Sequence, residues 1–334
     1  MNNSGIGTKP IKWGIVAPGK IAHKFASDLL LSDGSELIAV ASRSKERAVE
    51  FADKFQINEV YDDYEQLLQT SHCDIVYIAS PHVFHKQHVL SCIKAGKAVL
   101  CEKPVTLSSH DFKELQQAAN DNQVFFMEAM WTRFSPIMDR VLEIITSGRI
   151  GKVNLVQANF GFKAEEDFSS RLYDPHLGGG SLLDTGVYVL TLAQMVFQRA
   201  PSEVLTQAVM TPTGVDGIGS YLLRYGETQL AMLSSSITTK TDNAAMVYGE
   251  KGSIAIDNFW MPDKAIIRTQ ESGEEIIRNN NIGTGYYYEI KDVEACLAAG
   301  LLQNPKRTLT STYEVLEIMD RVRNSWGLVY PSEK

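Results

Sequence analysis

Two groups of residues in this 334-residue chain have types and spacing that could do acid–base or electrostatic chemistry. The first is Glu102-Lys103-Pro104, which ends the apolar run "AVLCEK". A Lys-Pro met at random is a solvated turn, because lysine is seldom buried without a partner. Here Pro104 biases Lys103 toward extended geometry. The strand also delivers it to the carboxyl end of a parallel sheet, where ligands bind. An ammonium held there could polarise a substrate oxygen. The second group is Asp184 and Tyr188 in "GGGSLLDTGVYVL", four residues apart and so on one face of a predicted helix. A phenol titrates near pH 10, and a neighbouring ammonium lowers that value. Tyr188 could then accept a proton from a hydroxyl as hydride leaves, or donate one in the reverse direction. The plainer reading is a core tyrosine with its hydroxyl satisfied. Ser181 is the expected N-cap. Gly186, which costs about 1 kcal/mol against alanine inside a helix, points to a close approach by a cofactor or backbone. His176, just upstream, competes for the proton-transfer role but reads better as a turn residue.

A third group would hold the dinucleotide this chemistry needs. In "WGIVAPGKIA" the three positions of a G-x-G-x-x-G/A fingerprint are Ala17, Gly19 and Ala22. The first glycine is replaced, yet a strand precedes the motif and a helix, opening with Lys20 and Ile21, follows it. A pyrophosphate needs close backbone and the N–H groups of a helix N-terminus, and Gly19 meets that demand best. An NAD site places Asp or Glu at the end of the second strand. This chain has Ser42-Arg43-Ser44-Lys45 there, with no carboxylate before Glu46. A guanidinium fork and hydroxyls suit a 2′-phosphate, so the expected cofactor is NADP(H), with NAD(H) the alternative. Ser80, Pro81 and His85 of "SPHVFH", together with Glu102 and Lys103, are expected at the nicotinamide end. Trp131 and Arg133 of "EAMWTRF" converge on the same place.

These residues require a particular frame. The first third alternates apolar strand runs with amphipathic helical runs, which implies a parallel sheet covered by helices on both faces. After "PIMDRVLEIITSG" the pattern changes. Six strand candidates follow "KVNLVQANFGF" and an apolar helix, with little helix among them, and two helices close the chain. The expectation is α/β: a doubly wound parallel domain over residues 9–129, then an α/β domain with a large open, mostly antiparallel sheet over 130–334. Lysine and arginine number 32 against 40 acidic residues, a net charge of −8, which excludes a broad nucleic-acid footprint. No apolar run is read as long enough for a bilayer. The start, "MNNSGIGTKPIK", lacks the apolar core of a secretory signal. Cys73, Cys92, Cys101 and Cys296 have no metal-ligand spacing and read as reduced thiols of a cytoplasmic protein. No metal is expected, since no His/Cys/carboxylate cluster has ligand spacing.

Taken together, "KWGIVAPGKIA", "AVASRS", "KAVLCEKP", "FFMEAMWTRF", "LGGGSLLDTGVY" and "GEKGSI" resemble the glucose–fructose oxidoreductase / inositol dehydrogenase (Gfo/Idh/MocA) family. The nearest likeness is the branch of dimeric dihydrodiol dehydrogenases and NADP-dependent D-xylose 1-dehydrogenases. The resemblance implies a Rossmann domain and a second domain whose exposed sheet often makes a dimer. It implies that Lys103 orients the reacting oxygen and that Tyr188 is the acid/base where many members have histidine. It places Asp184 one turn earlier, Arg43 at the 2′-phosphate, and Trp131, Phe160 and Trp260 on an aromatic substrate wall. The expected reaction is hydride transfer between nicotinamide and a hydroxyl-bearing carbon of a sugar or trans-dihydrodiol. The rival is a non-catalytic nucleotide-sensing protein on the same fold. A homodimer is expected, because an uncovered apolar sheet face is a liability alone. Tyr286, Tyr287 and Tyr288 either serve the pocket or pack the start of the helix, and packing is the preferred reading.

Overall fold

The computed structural model describes residues 9–334. The first eight residues of the stretch read for a secretory signal lie outside the described residues. The first sheet holds β1 (Ile11–Val16), β2 (Ser35–Ala41), β3 (Glu59–Tyr61), β4 (Ile75–Ile78), β5 (Ala98–Glu102) and β6 (Phe126–Ala129). All its pairings are parallel, in the order β3-β2-β1-β4-β5-β6. β4 and β5 are buried at every residue, as strands covered on both faces must be. The crossover helices are α1 (Lys20–Leu29), α2 (Lys45–Phe55), α3 (Tyr64–Thr70), α4 (His85–Lys94) and α5 (Ser109–Asn122). Ser44 caps α2 by accepting from the Arg47 N–H. Chain order reverses between β1 and β4, so a crevice opens beyond their carboxyl ends.

After α6 (Pro136–Thr146) comes β7 (Val153–Gly161), then α7 (Val187–Phe197). The second sheet is completed by β8 (Glu203–Met210), β9 (Asp216–Tyr225), β10 (Gln229–Ser236), β11 (Ala245–Gly249), β12 (Gly252–Ile256), β13 (Lys264–Thr269) and β14 (Gly273–Arg278). Its order is β14-β13-β12-β11-β7-β10-β9-β8. β7 and β10 run parallel and the remaining pairs antiparallel. β14 was not anticipated. Its "GEEIIR" is an edge strand carrying charge toward solvent, and that composition hides the period-2 signal.

The helical run Pro175–Phe197 corrects one reading: it is long and apolar enough to cross a membrane. Its apolar residues instead form core, and α7 is buried along almost its whole length. α7 packs on β7, β10 and the last helix, α9 (Leu309–Trp326). The closing helices also return to the first sheet's layer: α9 packs on α5, and α8 (Tyr287–Ala298) on α1. Asp28 of α1, nearly fully buried, accepts the N–H groups of Thr284, Tyr286 and Tyr287 where α8 begins. The four cysteines are free and buried.

Candidate active site

The site begins at the turn after β1. Ala17 lies at φ 65°, a left-handed conformation that glycine adopts without cost and alanine does not. Its N–H reaches the Ala41 carbonyl and its own carbonyl takes the Gly19 N–H at 2.7 Å. Gly19 is the N-cap of α1 and contributes no side-chain cap. A Cβ built on it would meet nothing nearer than 4.0 Å. The first-turn N–H groups of α1 therefore face open space with a positive dipole end behind them.

A cavity of 1610 Å³ runs past this turn. Ala17, Gly19, Lys20 and Ile21 line it, as do Ser42 and Arg43 after β2, and Ser80 and Pro81 after β4. Glu102 and Lys103 enter from β5, and Trp131, Phe160, Asp184, Tyr188 and Trp260 complete it. Two expected residues lie elsewhere. His85 is fully buried, its Nδ1 2.9 Å from the Pro104 carbonyl and its Nε2 2.7 Å from that of Ser80. It ties the loop after β4 to the turn after β5. Arg133 donates to the Lys306 carbonyl and pairs with Asp139 at 2.8 Å. His176 is exposed in its turn and does not line the cavity.

Residues missed from sequence are His82, His88, Arg171 and Tyr286, all of which line the cavity. The histidines sit in the same "SPHVFHKQHV" string as His85. A 3-10 turn over His82–Phe84 precedes α4 and sets the phase that points His85 inward. Arg171 belongs to the irregular segment before α7, where no periodicity marks a side chain. Of the three tyrosines, Tyr286 serves the cavity and stacks on Trp131 at 5.0 Å. Tyr288 packs as expected, its hydroxyl accepting from Asn279 and the Ile282 N–H.

At the centre, Lys103 Nζ donates to the Asp184 backbone carbonyl at 2.8 Å and lies 3.7 Å from its Oδ1. The same Nζ stands 4.7 Å from the centroid of the Tyr188 ring. Tyr188 OH accepts from Trp131 Nε1 at 2.8 Å. Phe160 meets Tyr188 edge-on at 5.2 Å and stacks on Trp260 at 5.4 Å. A π-helical turn, Leu182–Gly186, precedes α7 in place of regular helix. Such turns insert a residue and occur at functional sites. Ser181 stands at the N-cap position of the π turn but makes no side-chain cap: its backbone is already helical and its hydroxyl goes to Asp216. What crowds Gly186 is the Tyr221 hydroxyl, which a Cβ would approach to 2.9 Å.

The electrostatics are uneven. Burial pushes the Asp184 carboxyl up, but the Lys103 and Arg171 cations outweigh it and hold the group down at about 2. Arg171 donates to Asp184 Oδ1 at 3.1 Å. Burial and the same cations keep His82 well below its ordinary range, so its ring is neutral. Burial also holds His88 down, at about 4. The expected lowering of Tyr188 does not occur. Burial first, then the Glu102 carboxylate, raises its phenol well above 10. Lys103 sits over the ring face and spends itself on Asp184. Glu102 is raised by burial and accepts from Tyr77 OH at 2.5 Å. Among the described residues, His110, Asp111 and Glu114 form a surface group within reach of a common ion. Lys86 already pairs with both carboxylates, at 2.6 and 2.9 Å.

A six-stranded doubly wound sheet with an open helix N-terminus at its switch point defines a dinucleotide-binding protein. Residues 11–130 match the model of the Gfo/Idh/MocA oxidoreductase family, NAD-binding Rossmann fold, and residues 138–255 match the family's C-terminal domain. Trans-1,2-dihydrobenzene-1,2-diol dehydrogenase of Mus musculus is 35% identical over 97% of this chain and 99% of its own. A 3-ketoreductase from Actinomadura kijaniata, solved with NADP and TDP-benzene, has the same fold: TM-score 0.85, 24% identity, 95% of this chain and 98% of that one. So does an aldose-aldose oxidoreductase from Caulobacter crescentus complexed with glycerol, with TM-score 0.87, 21% identity, and 96% and 100% covered. The chain belongs to the Gfo/Idh/MocA family and is an NAD(P)-dependent oxidoreductase.

Proposed function

We propose that the enzyme is an NADP(H)-dependent dehydrogenase acting on a hydroxyl-bearing carbon of a trans-dihydrodiol or of a pyranose such as an aldose. One observation carries this reading: the Lys103 ammonium, the Tyr188 phenol and an aromatic wall share one cavity with Arg43. The open N-terminus of α1 and the space before Gly19 fit a pyrophosphate. Ser42 and Arg43 would take the 2′-phosphate, and Ser80 and Pro81 would flank the nicotinamide. Glu46 is bound to Ser44 at 2.7 Å and does not line the cavity, so no carboxylate of that turn opposes a phosphate there. The nicotinamide, when bound, gives or takes the hydride.

The chain's own residues handle the oxygen and its proton. An ammonium has three donors. Lys103 gives one hydrogen to the Asp184 carbonyl, stands at ion-pair distance from the carboxylate, and keeps donor directions for a substrate oxygen. Tyr188 OH accepts from Trp131, which leaves its own proton without an acceptor among the described residues. Because the phenol is held protonated, it is set to donate to the forming hydroxyl in reduction; in oxidation it takes the hydroxyl proton only after releasing its own through the open cavity to solvent. Trp131, Phe160 and Trp260 give the apolar face of a ring a matching surface.

The test is a screen of NADP- and NAD-linked absorbance change on trans-dihydrodiols and aldoses, with two variants. Lys103→Met should lose roughly 100-fold or more in kcat, the usual cost of one electrostatic donor, with NADP affinity kept. Loss of both in equal measure would count against its role. Arg43→Asp should invert the cofactor preference; an unchanged preference would move the 2′-phosphate contact to Arg47, which also lines the cavity. The exposed side of the second sheet carries Leu205, Val209 and Met232, and a second copy of this chain is the proposed cover. Sedimentation as a monomer at micromolar concentration would reject that cover.

A further inference from the structure

Beneath the π turn lies a buried hydrogen-bond chain that proton transfer to the substrate does not use. Asp216, fully buried at the start of β9, accepts through Oδ2 from the Ser181 hydroxyl and from the Leu182 N–H, each at 2.7 Å. Ser181 Oγ meets Ser235 Oγ at 2.8 Å, and Ser235 Oγ meets the Tyr221 hydroxyl at 2.6 Å. The chain ends under Gly186, where a Cβ would come within 2.9 Å of the Tyr221 oxygen and 3.3 Å of Ser235 Oγ. On its other side, Gly180 stands at φ 109°, and a Cβ there would fall 2.2 Å from Asp216 Oδ1. The carboxylate is thus enclosed by the glycine turn before the π segment and by its first residue.

These contacts bracket the reacting groups. Leu182, held by Asp216, is two residues before Asp184, whose carbonyl receives Lys103. Gly186, resting on Tyr221 and Ser235, is two residues before Tyr188. A π turn sets its carbonyls in a register that a regular α-helix would not keep, so the direction of the Asp184 carbonyl depends on what holds the turn. We propose that Asp216 is a positioning residue that fixes the π turn, so that the Asp184 carbonyl and the Tyr188 phenol meet Lys103. This rests on the reading of Lys103 and Tyr188 given above.

The test compares Asp216→Ala, Asp216→Asn and Ser181→Ala with the wild type, reading kcat, KM, NADPH affinity by fluorescence, and melting temperature. Asp216→Ala should lose about 10- to 100-fold in kcat, the scale of a misplaced reacting group, with NADPH affinity unchanged. Asp216→Asn keeps an acceptor oxygen for Ser181 and Leu182 and should recover most of that loss. Ser181→Ala gives the same split at smaller size and stands in if the alanine variant does not fold. In a Lys103→Met background, Asp216→Ala should cost less in kcat than it does in the wild type, because only the Tyr188 phenol is then left to misplace. Wild-type kcat in a folded Asp216→Ala, equal loss of kcat and NADPH affinity, or no recovery in Asp216→Asn overturns the proposal. The failure of Lys103 as a reacting group shows separately, as full turnover in Lys103→Met alone.

Discussion

The turn that carries Lys103 and the turn that leads to Tyr188 are each anchored by a buried carboxylate, and the anchors are compensated in opposite ways. Glu128, on β6, accepts the Val105 N–H at 3.1 Å, two residues past Lys103. Its other oxygen takes the Arg307 guanidinium through Nε and NH2, and both side chains are 1% exposed. Asp216 has no such cation. It relies on a hydroxyl and one N–H, its Oδ1 has no hydrogen-bond partner, and burial pushes it up to about 7. One anchor is neutralised by a partner charge and the other by a proton. The first should therefore fail when its partner is removed, and the second when the pH is raised.

Breaking the first anchor has the largest expected effect. Arg307→Met leaves Glu128 as an unpaired buried charge, and removing one member of such a pair costs about 3–5 kcal/mol. Denaturant unfolding should show that loss as a lower midpoint at nearly constant slope. A change under about 1 kcal/mol, the scale of an exposed pair, would erase the distinction between the anchors.

The second anchor should respond to pH. An unfolded aspartate titrates near 3.9, whereas Asp216 titrates at about 7 in the fold. Between these values the native state binds a proton that the unfolded chain has released. Stability is then highest below pH 4 for this group and falls as pH rises to 7. Three units correspond to at most ~4 kcal/mol. Glu102 and Glu289 are also raised, chiefly by burial, and tilt the curve the same way. The difference between wild type and Asp216→Asn isolates the one group. It should slope between pH 4 and 7 and flatten above; parallel curves would show that Asp216 ionises freely.

What the sequence made legible follows from the range of the interactions involved. Lys103, Gly19 and Arg43 sit at strand ends whose hydrophobic runs and following helices are local patterns, so their convergence could be read before any contact was known. Asp216 could not be. It is a lone carboxylate in "VDGIGSYLL", and its meaning comes from Ser181 and Leu182, far back in the chain. The π turn was hidden for the same reason: the bonds that hold its register lie in another layer. His85 was placed in the cavity and His82 left out because the 3-10 turn that sets their phase has no composition signal. The direction of the Tyr188 shift was misjudged because spacing gives an ammonium's nearness and not which end of the phenol it meets.

The smallest effect tests the link between the two halves. Trp131 follows β6, the strand of the ion-paired anchor, and its Nε1 hydrogen bond reaches the phenol held by the other. That bond favours the phenolate, but burial and Glu102 outweigh it. Trp131→Phe keeps an aromatic ring against Tyr286 and removes only the donor. One hydrogen bond is worth about 1 kcal/mol net, so kcat/KM should fall about fivefold. Tyr188→Phe alone should cost about 10²- to 10⁴-fold, the range of a lost acid–base group. If Trp131 acts through the phenol, adding Trp131→Phe to Tyr188→Phe should cost nothing more. A full fivefold loss in both backgrounds would make the indole part of the substrate wall alone, and the halves would then meet only where Lys103 reaches the Asp184 carbonyl.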